Sequence, residues 1–428
     1  MNSRRRRFFL AAGAGVAGAL ALRPSVHGAP HEAYFQTISD ALRTAGIATP
    51  VIVIDRARLR ANVQQIMHHI GGKTDLRLVV KSLPSSGLID DIKSITQSNR
   101  MMLFSLPQLL LMATGDTQIL LGKPLPVAAA AQFYRQHGGA ATGFQPAQQL
   151  QWLIDTPQRL RQYRDLARAQ QLNLLVNFEI DVGLHRGGID DVATLNDMLT
   201  ILQSEPRLRW SGMMGYDAHV AKIPDLPGLQ RKAHEHAHQS YTQYAETALA
   251  NLRKQKNALP QRPCFNAAGS PTYRLYDGSG IENEVSVGSA MLKASDFDLP
   301  LLGDLLPAAF IATPVLKAGQ AFRMPYGVEW TGSLVRLWDR NQQQEVFIYG
   351  GNWLADPVSP AGLAYSGLYG MSSNQQLLVG SGLQQLKPDD YVFFRPRQSE
   401  AVLLQFGDLA VYDNGRIDQW WPVFPATA

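Results

Sequence analysis

The feature that most restricts the fold of this chain is a repeated alternation of strand-like and helix-like segments. An apolar run at residues 49–55 and a helical pattern at residues 56–70 open it. Eight further apolar runs alternate with helical patterns, at residues 76–81, 101–105, 118–122, 142–145, 172–180, 208–216, 264–269 and 284–290. Because each strand is followed by a helix, the runs predict a parallel sheet, and their number favours a (β/α)8 barrel. A doubly wound open sheet is the alternative, since the pattern alone does not close a barrel.

The sequence changes in character after residue 295. Proline and glycine become frequent, long helical patterns stop, and short strand-like runs follow at residues 333–338, 345–349, 391–395, 401–405 and 409–412. This composition, with its short strand-like runs, predicts a separate β domain. We therefore expect a barrel domain over residues 31–295 and a C-terminal β domain over residues 296–428.

The first 30 residues are typical of an export signal. Residues 4–7 are four consecutive arginines, and Phe8, Phe9 and an Ala/Gly-rich apolar stretch to Leu22 follow. This stretch is too short and too weakly apolar for a stable membrane span. Consecutive arginines before Phe-Leu favour the twin-arginine pathway, and hence a periplasmic location. An ordinary secretory signal or an uncleaved anchor is the alternative.

Charge and cysteine content exclude several classes of protein. The net charge is +5, and four of the positive charges lie in residues 4–7. The remaining body is nearly neutral, which gives no indication of a nucleic-acid partner. Cys264 is the single cysteine, so the chain has neither an internal disulfide framework nor a multi-cysteine zinc site.

Lys81 is the first candidate catalytic residue. It ends a predicted barrel strand in the segment LRLVVKS, and barrel enzymes carry their chemistry at the carboxyl ends of strands. Partial burial there lowers the pKa of a lysine and frees its amine for imine formation. A lysine extending into solvent from a strand end is the alternative on this pattern alone.

Three later segments carry further candidates. Arg186 lies in FEIDVGLHRGG after one strand, where it is placed to donate to a cofactor oxygen. Tyr216 and His219 lie in GMMGYDAH after the next strand, and such residues stack on cofactors or relay protons. The segment NAAGSPTY follows the seventh strand. Its small residues let backbone N–H groups approach a phosphate, and its hydroxyls can donate to one. The candidate phosphate-binding residues are therefore Gly269, Ser270 and Thr272. Each segment has an ordinary structural alternative: a surface salt bridge, a capping aromatic or a plain turn.

Taken together, these segments resemble the fold-type III pyridoxal-phosphate enzymes. Within that group they are most similar to the D-threonine aldolase and D-serine dehydratase-like family, a relative of alanine racemase, over about residues 46–425. The resemblance implies a Schiff base on Lys81, a cofactor contact from Arg186, a Tyr-x-x-His pair in Tyr216 and His219, and a phosphate loop at residues 266–273. It also implies a homodimer.

The chain departs from this family at the metal site. The family's lysine strand has histidine two residues before and after the lysine, where this chain has Val79 and Leu83. Its β domain has a His-x-Cys pair, where this chain has Gln398 and Glu400. If residues 398–400 form a strand, both side chains share one face. A bound metal is therefore doubtful, with Glu400 as a weak candidate ligand, and Glu400 is expected instead to act on the substrate's amine or as an acid/base.

The expected function is pyridoxal-phosphate-dependent chemistry at the α-carbon of an amino acid. The substrate class is a D-amino acid or a 3-hydroxy amino acid, and the reaction is of racemase, aldolase or deaminase type. The alternative is a non-catalytic protein that binds pyridoxal phosphate or an amino acid in the periplasm.

Overall fold

The computed structural model describes residues 23–138, 142–224, 226–254 and 259–425. The chain divides into two compact units. The barrel unit comprises Asp55–Ala308, Arg397–Gly407 and the residues from Trp421 onward, and the β unit comprises the residues up to Ile54, Ala309–Pro396 and Asp408–Trp420. This division differs from the predicted boundaries in two ways. Residues 23–54 belong to the β unit, and a short segment around Glu400 returns to the barrel unit.

A closed barrel of eight parallel strands confirms the predicted fold. Strand β1 (Val51–Asp55) precedes the barrel. The barrel strands are β2 (Asp75–Val79), β3 (Arg100–Leu103), β4 (Gln118–Leu121), β5 (Leu150–Ile154), β6 (Leu174–Ile180), β7 (Leu208–Gly215), β8 (Cys264–Ala267) and β9 (Glu284–Val287). The barrel closes where β9 pairs with β2, with Leu76 opposite Val285 and Leu78 opposite Val287. An open doubly wound sheet is thereby ruled out.

The predicted strand at residues 142–145 is wrong. These residues have no regular structure, and the short helix Pro146–Gln149 follows them. The actual strand, β5, is the apolar run LQWLI. Its Trp152 and Ile154 are buried, whereas Thr142 and Gly143 offer little apolar surface to a barrel wall.

Helices with local stop and start signals separate the barrel strands. Asp55 accepts a hydrogen bond from the backbone N–H of Arg58 and so caps the first of them, which Gly71 ends in the left-handed conformation. Thr156 caps a later helix whose first residue is Pro157. The helices of this unit are Arg56–Ile70, Ser86–Thr96, Leu106–Met112, Val127–His137, Pro146–Gln149, Pro157–Gln170, Val192–Gln203, Leu229–Lys254, Ser289–Leu292 and Ser399–Val402.

A nine-stranded sheet forms the β unit. Strand β1 lies inside it, antiparallel to a long strand, with Val53 opposite Phe310. The other strands are β10 (Ala309–Ala321), β11 (Gln344–Tyr349), β12 (Ala355–Ser359), β13 (Ala364–Tyr365), β14 (Gln375–Gly380), β15 (Tyr391–Pro396), β16 (Leu409–Asp413) and β17 (Arg416–Trp421). The helix Ala33–Thr44 packs on this sheet through Ile38 and Leu42, in one apolar core with Phe393.

Two predicted strands of the C-terminal region are helical. Residues 333–338 belong to the helix Trp330–Trp338. Residues 401–405 belong to the turn of helix Ser399–Val402 and the 3-10 turn Leu403–Gln405. Gln398 and Glu400 therefore do not alternate along a strand, and their expected common face is wrong.

The predicted export signal falls almost wholly outside the described residues, which begin at Arg23. Within the described part of the chain, no helix combines the length and apolar character needed to cross a membrane.

Candidate active site

Alternating inward side chains of the barrel form two layers below the mouth. In the lower layer Arg77 of β2 and Glu284 of β9 form a fully buried ion pair, with Arg77 Nη2 2.9 Å from Glu284 Oε2. Arg77 Nη1 also donates to the backbone carbonyls of Met101 and Gln118, at 2.9 and 2.8 Å. These bonds compensate for the cost of burying the charges. The pair fills the interior as a rigid floor.

A cavity opens above this floor at the carboxyl ends of the strands. Its walls include Val79 and Met102, which are partners in adjacent strands, and Asn266 and Ser286, which hydrogen bond to each other at 2.8 Å. The empty space measures about 640 Å³, open solvent at its mouth included, which is typical of a ligand pocket. Its other lining residues are Lys81, Ser82, Phe104, Gly122, Arg186, Met214, Tyr216, Ala268, Gly269, Ser270, Pro271, Ser289, Phe297 and Glu400.

Lys81 lies in this cavity, on the 3-10 turn Val80–Ser82 directly after β2. Its Nζ is 3.3 Å from Glu400 Oε1 and 5.1 Å from the centre of the Phe104 ring. Its side chain is 42% exposed, so the amine remains accessible from the mouth.

Glu400 is fixed by a short chain of hydroxyls. Ser289 Oγ donates to Ser82 Oγ at 2.9 Å, and Ser82 Oγ donates to Glu400 Oε2 at 3.3 Å. The other carboxylate oxygen of Glu400, Oε1, is the one that faces Lys81. Gln398, in contrast, donates to Asp296 at 2.9 Å and is not part of the cavity wall.

Arg186 and Tyr216 meet across the cavity. The guanidinium carbon of Arg186 lies 4.8 Å from the centre of the Tyr216 ring, a cation–π contact. Burial raises the pKa of Tyr216, with further contributions from Asp217 and Glu400, and the charge of Arg186 opposes them. Tyr216 is therefore a hydrogen-bond donor at neutral pH. A Cβ on Gly269 would lie 2.4 Å from Tyr216 Cε2, so this glycine is what makes room for the ring.

Glu179 of β6 is a carboxylate beside this pair. It is opposite Met214, which lines the cavity, so Glu179 shares the inward face of the wall. Burial and the nearby charge of Asp155 raise the pKa of Glu179 to about 7, and Arg186 opposes this rise. Asp181, the next carboxylate along the chain, accepts hydrogen bonds within its own loop, from the N–H of Gly183 and from His185.

The loop after β8 is joined to the segment after β9 through Ser270. Ser270 Oγ accepts hydrogen bonds from the backbone N–H groups of Gly288 and Ala290, both at 3.1 Å. Ala268, Gly269 and Ser270 line the cavity. These residues are small, and the hydroxyl proton of Ser270 remains to donate to a phosphate.

Two predicted site residues lie away from the cavity wall. Thr272 is buried and donates to Asp217 Oδ1, and Tyr276 donates to Asp217 Oδ2 at 2.8 Å. His219 faces Gly183, and burial lowers its pKa. Its Nδ1 has no hydrogen-bond partner among the described residues. Thr272 and His219 therefore support the site from behind rather than face it.

Several wall residues carried no signal in the sequence. Phe104, Met214 and Phe297 are ordinary apolar residues of strand ends and loops, and only their place in the closed barrel brings them to the cavity. Arg77 had a detectable signal, because a charged residue inside the apolar strand LRLVV needs a buried partner.

Among the residues that the structure describes, no three His, Cys, Asp or Glu side chains are grouped to hold a metal ion.

Comparisons with solved structures agree on this fold. The D-threonine aldolase from Filomicrobium marinum matches with a TM-score of 0.67 and 15% identity, over 89% of this chain and 98% of that one. The D-threo-3-hydroxyaspartate dehydratase from Delftia sp. HT23 matches with a TM-score of 0.66 and 16% identity, over 88% and 97%. The alanine racemase from Bacillus anthracis, with bound L-Ala-P, matches with a TM-score of 0.61 and 14% identity, over 88% and 98%. At these identities the likeness shows the fold.

A family model provides the assignment. No curated protein sequence matches the chain. The model of the alanine racemase N-terminal domain matches residues 54–296, more than half of the chain and the whole run of barrel strands. The protein therefore belongs to the alanine racemase N-terminal-domain family and has the fold of the fold-type III pyridoxal-phosphate enzymes.

Proposed function

We propose that this protein is a pyridoxal-phosphate-dependent enzyme acting at the α-carbon of an amino acid. The observation that carries the proposal is the convergence of Lys81, Arg186, Tyr216, Ser270 and Glu400 on one cavity at the barrel mouth. A D-amino acid or a 3-hydroxy amino acid is the proposed substrate, because the similar structures include a D-threonine aldolase and a D-threo-3-hydroxyaspartate dehydratase.

The residues of the cavity fit the cofactor. Lys81 offers an accessible amine for covalent attachment, and Arg186 offers a cation for an anionic ring oxygen. Ser270 Oγ accepts from the N–H groups of Gly288 and Ala290, which leaves its hydroxyl proton to donate to a phosphate. When bound, the cofactor supplies an electron sink for negative charge that develops at the substrate's α-carbon.

The residues around Lys81 are arranged to move a proton. The Nζ of Lys81 lies 3.3 Å from Glu400 Oε1, so the carboxylate can orient the amine for proton transfer. Tyr216, kept protonated by its raised pKa, can donate a proton or a hydrogen bond from its own side of the cavity. We propose Lys81 and Tyr216 as the acid/base pair, with Glu400 acting on the substrate's amine. His219 lies away from the wall and is the weaker candidate.

The same arrangement supports a metal-independent reaction. Glu400 stands where the resembling family has a metal ligand, and its carboxylate is engaged by Lys81 and Ser82. Zinc sites in proteins combine three or four Cys, His or carboxylate ligands, and here Gln398 and Glu400 replace the family's histidine and cysteine. We therefore favour racemisation or transamination over β-elimination or aldol cleavage.

Chelation tests this choice. Turnover of the cofactor-loaded protein should be unchanged after exhaustive treatment with a chelator, and elemental analysis should find no stoichiometric zinc. Loss of turnover that added zinc restores would instead favour a metal-dependent dehydratase or aldolase reaction.

The proposed function itself is tested on a panel of D- and L-amino acids with product analysis. We expect racemised or deaminated product from at least one member. Cofactor binding without any product would indicate a non-catalytic carrier of pyridoxal phosphate, and binding of amino acids without cofactor would indicate a binding protein.

Two further proposals concern the whole protein. We propose export through the twin-arginine pathway to the periplasm, supported by the four arginines at residues 4–7 and the apolar stretch after them. We also propose a homodimer, supported by the family resemblance. Fractionation of cells and sedimentation of the purified protein test them separately.

A further inference from the structure

One helix of the β unit exposes an apolar stripe. In Trp330–Trp338 the side chains of Trp330, Leu334, Leu337 and Trp338 are 69%, 55%, 69% and 46% exposed. At the helical spacing of about 100° per residue, these four fall within an arc of about 100°. The helix therefore presents a continuous apolar stripe to its surroundings.

The opposite side of this helix is its packing side. Val335 packs against the buried cluster of Phe322, Leu377 and Val379 on the sheet. Gly332 is buried, and a Cβ there would lie 3.3 Å from Met324 Cγ. The helix is therefore anchored to the unit through this side, opposite the exposed stripe.

Neighbouring segments enlarge the stripe. Tyr326 is 98% exposed and Val328 is 43% exposed in the turn before the helix. Tyr369 is 47% exposed, and its hydroxyl donates to the carbonyl of Arg323 at 3.0 Å, which fixes its loop beside the same turn. We call these seven residues the apolar face. Soluble proteins rarely leave such a patch uncovered without a function.

The composition of the apolar face fits the surface of a lipid bilayer. It has two tryptophans and two tyrosines with leucine and valine, and tryptophan and tyrosine are the residues that membrane interfaces favour. Exposed arginines, Arg323 and Arg340, flank it. Two acids also adjoin the helix, Glu329 and Asp339, and each accepts a local hydrogen bond but keeps its charge. With Arg336 on the helix itself, the arginines of residues 323–340 outnumber these acids by three to two.

The N-terminal region of the chain reaches the β unit at this helix. Arg23 Nε donates to the carbonyl of Trp338 at 3.0 Å, and Asn341 Nδ2 donates to the carbonyl of Ser25 at 2.8 Å. In the sequence, the residues before Arg23 are the arginines of 4–7 and an apolar stretch. Arg23 itself places one more positive charge beside the carboxyl end of this helix.

From these observations we propose that the apolar face docks the protein peripherally on a bilayer containing anionic phospholipid. The helix lies in the plane of the interface, with its stripe in the headgroup region and the arginines toward the phosphates. No residue of the candidate active site takes part.

Vesicle binding by the full-length protein tests the proposal. The probe is a vesicle of equal parts phosphatidylglycerol and phosphatidylcholine, and the variant carries Leu334→Ser with Leu337→Ser. We expect the variant to bind about tenfold or more weakly than wild type, because each exposed leucine loses apolar area that the bilayer would bury. Its melting temperature and turnover should be unchanged.

A matched control carries Leu111→Ser with Leu306→Ser, two leucines of the barrel unit that are 47% and 49% exposed. This control should bind vesicles as wild type does. Equal binding by wild type and the stripe variant would overturn the proposal, because the N-terminal stretch alone would then account for it. Loss of self-association by the stripe variant in sedimentation, with vesicle binding unchanged, would overturn it in favour of a second copy on this face.

Discussion

Arg186 is the residue whose role separates a cofactor site from an ordinary surface ion pair. It is exposed, and in the cavity it contacts the Tyr216 ring, so the fold gains little from it. Arg186→Ala should therefore lower turnover by roughly tenfold to a hundredfold, since a charged hydrogen bond is worth about 1.5–3 kcal/mol. The melting temperature should hardly change. Steady-state kinetics and thermal unfolding measure the two effects.

A matched control is Arg231→Ala, which removes an exposed arginine paired with Glu235 along one helix. Its turnover should equal that of wild type. If Arg186→Ala also left turnover unchanged, the arginine would have only the surface role that the sequence left open.

Glu179 predicts a specific dependence of stability on pH. Its pKa in the folded protein is raised to about 7 by burial and by Asp155, above the unfolded value of about 4.3. A raised pKa means that the folded state binds the proton more tightly. The resulting stability is complete below the unfolded pKa and is lost as pH rises through about 7.

Glu179→Gln should remove this dependence. The variant should be more stable than wild type by about 1–3 kcal/mol above pH 7, with the difference shrinking toward acidic pH. Urea unfolding at several pH values measures it. A constant difference across the pH range would show that the carboxyl is not held in its neutral form.

At the scale of elements, the loop after β8 depends on Gly269. A Cβ at this position would overlap the Tyr216 ring at 2.4 Å. Gly269→Ala should push the ring into the cavity and weaken cofactor binding by about tenfold or more, since overpacking typically costs about 1–3 kcal/mol. Gly367→Ala is the control, because nothing lies within 4 Å of its Cβ. Equal cofactor affinity in both variants would contradict the packing account.

The elements that sequence reasoning missed share a physical reason. Residues 401–405 read as a strand because Val402, Leu403 and Leu404 form an apolar run. A short apolar run fits either a buried strand or a buried helical turn, and packing decides between them. Here the helical turn directs Glu400 to Lys81 and Gln398 to Asp296, a separation that no local pattern could indicate.

At the scale of the whole molecule, the barrel was predictable and the division into units was not. Seven of the predicted strand runs coincide with barrel strands, because each carries an apolar run followed by a helical pattern. Strand β1 reads as part of the same series, yet it pairs with β10, more than 250 residues later. Such long-range pairing leaves no local signal in the sequence.

The candidate site was also predictable only in part. Strand ends converge in any closed barrel, so Lys81, Arg186, Tyr216 and Ser270 could be expected at one mouth. The position of Thr272 behind the wall depends on its bond to Asp217, which lies 55 residues earlier in the loop after β7, so no local pattern could indicate it.

The central claim is that Lys81 holds pyridoxal phosphate in covalent linkage, and borohydride reduction followed by peptide mapping tests it most directly. The protein loaded with cofactor should show a visible absorbance band that reduction abolishes, and the pyridoxyl group should be found on the peptide containing Lys81. Lys81→Ala should lose both. Lys293, a buried lysine that donates to the carbonyls of Phe297 and Leu302, should remain unlabelled. A pyridoxyl group on any lysine other than Lys81 would contradict the account.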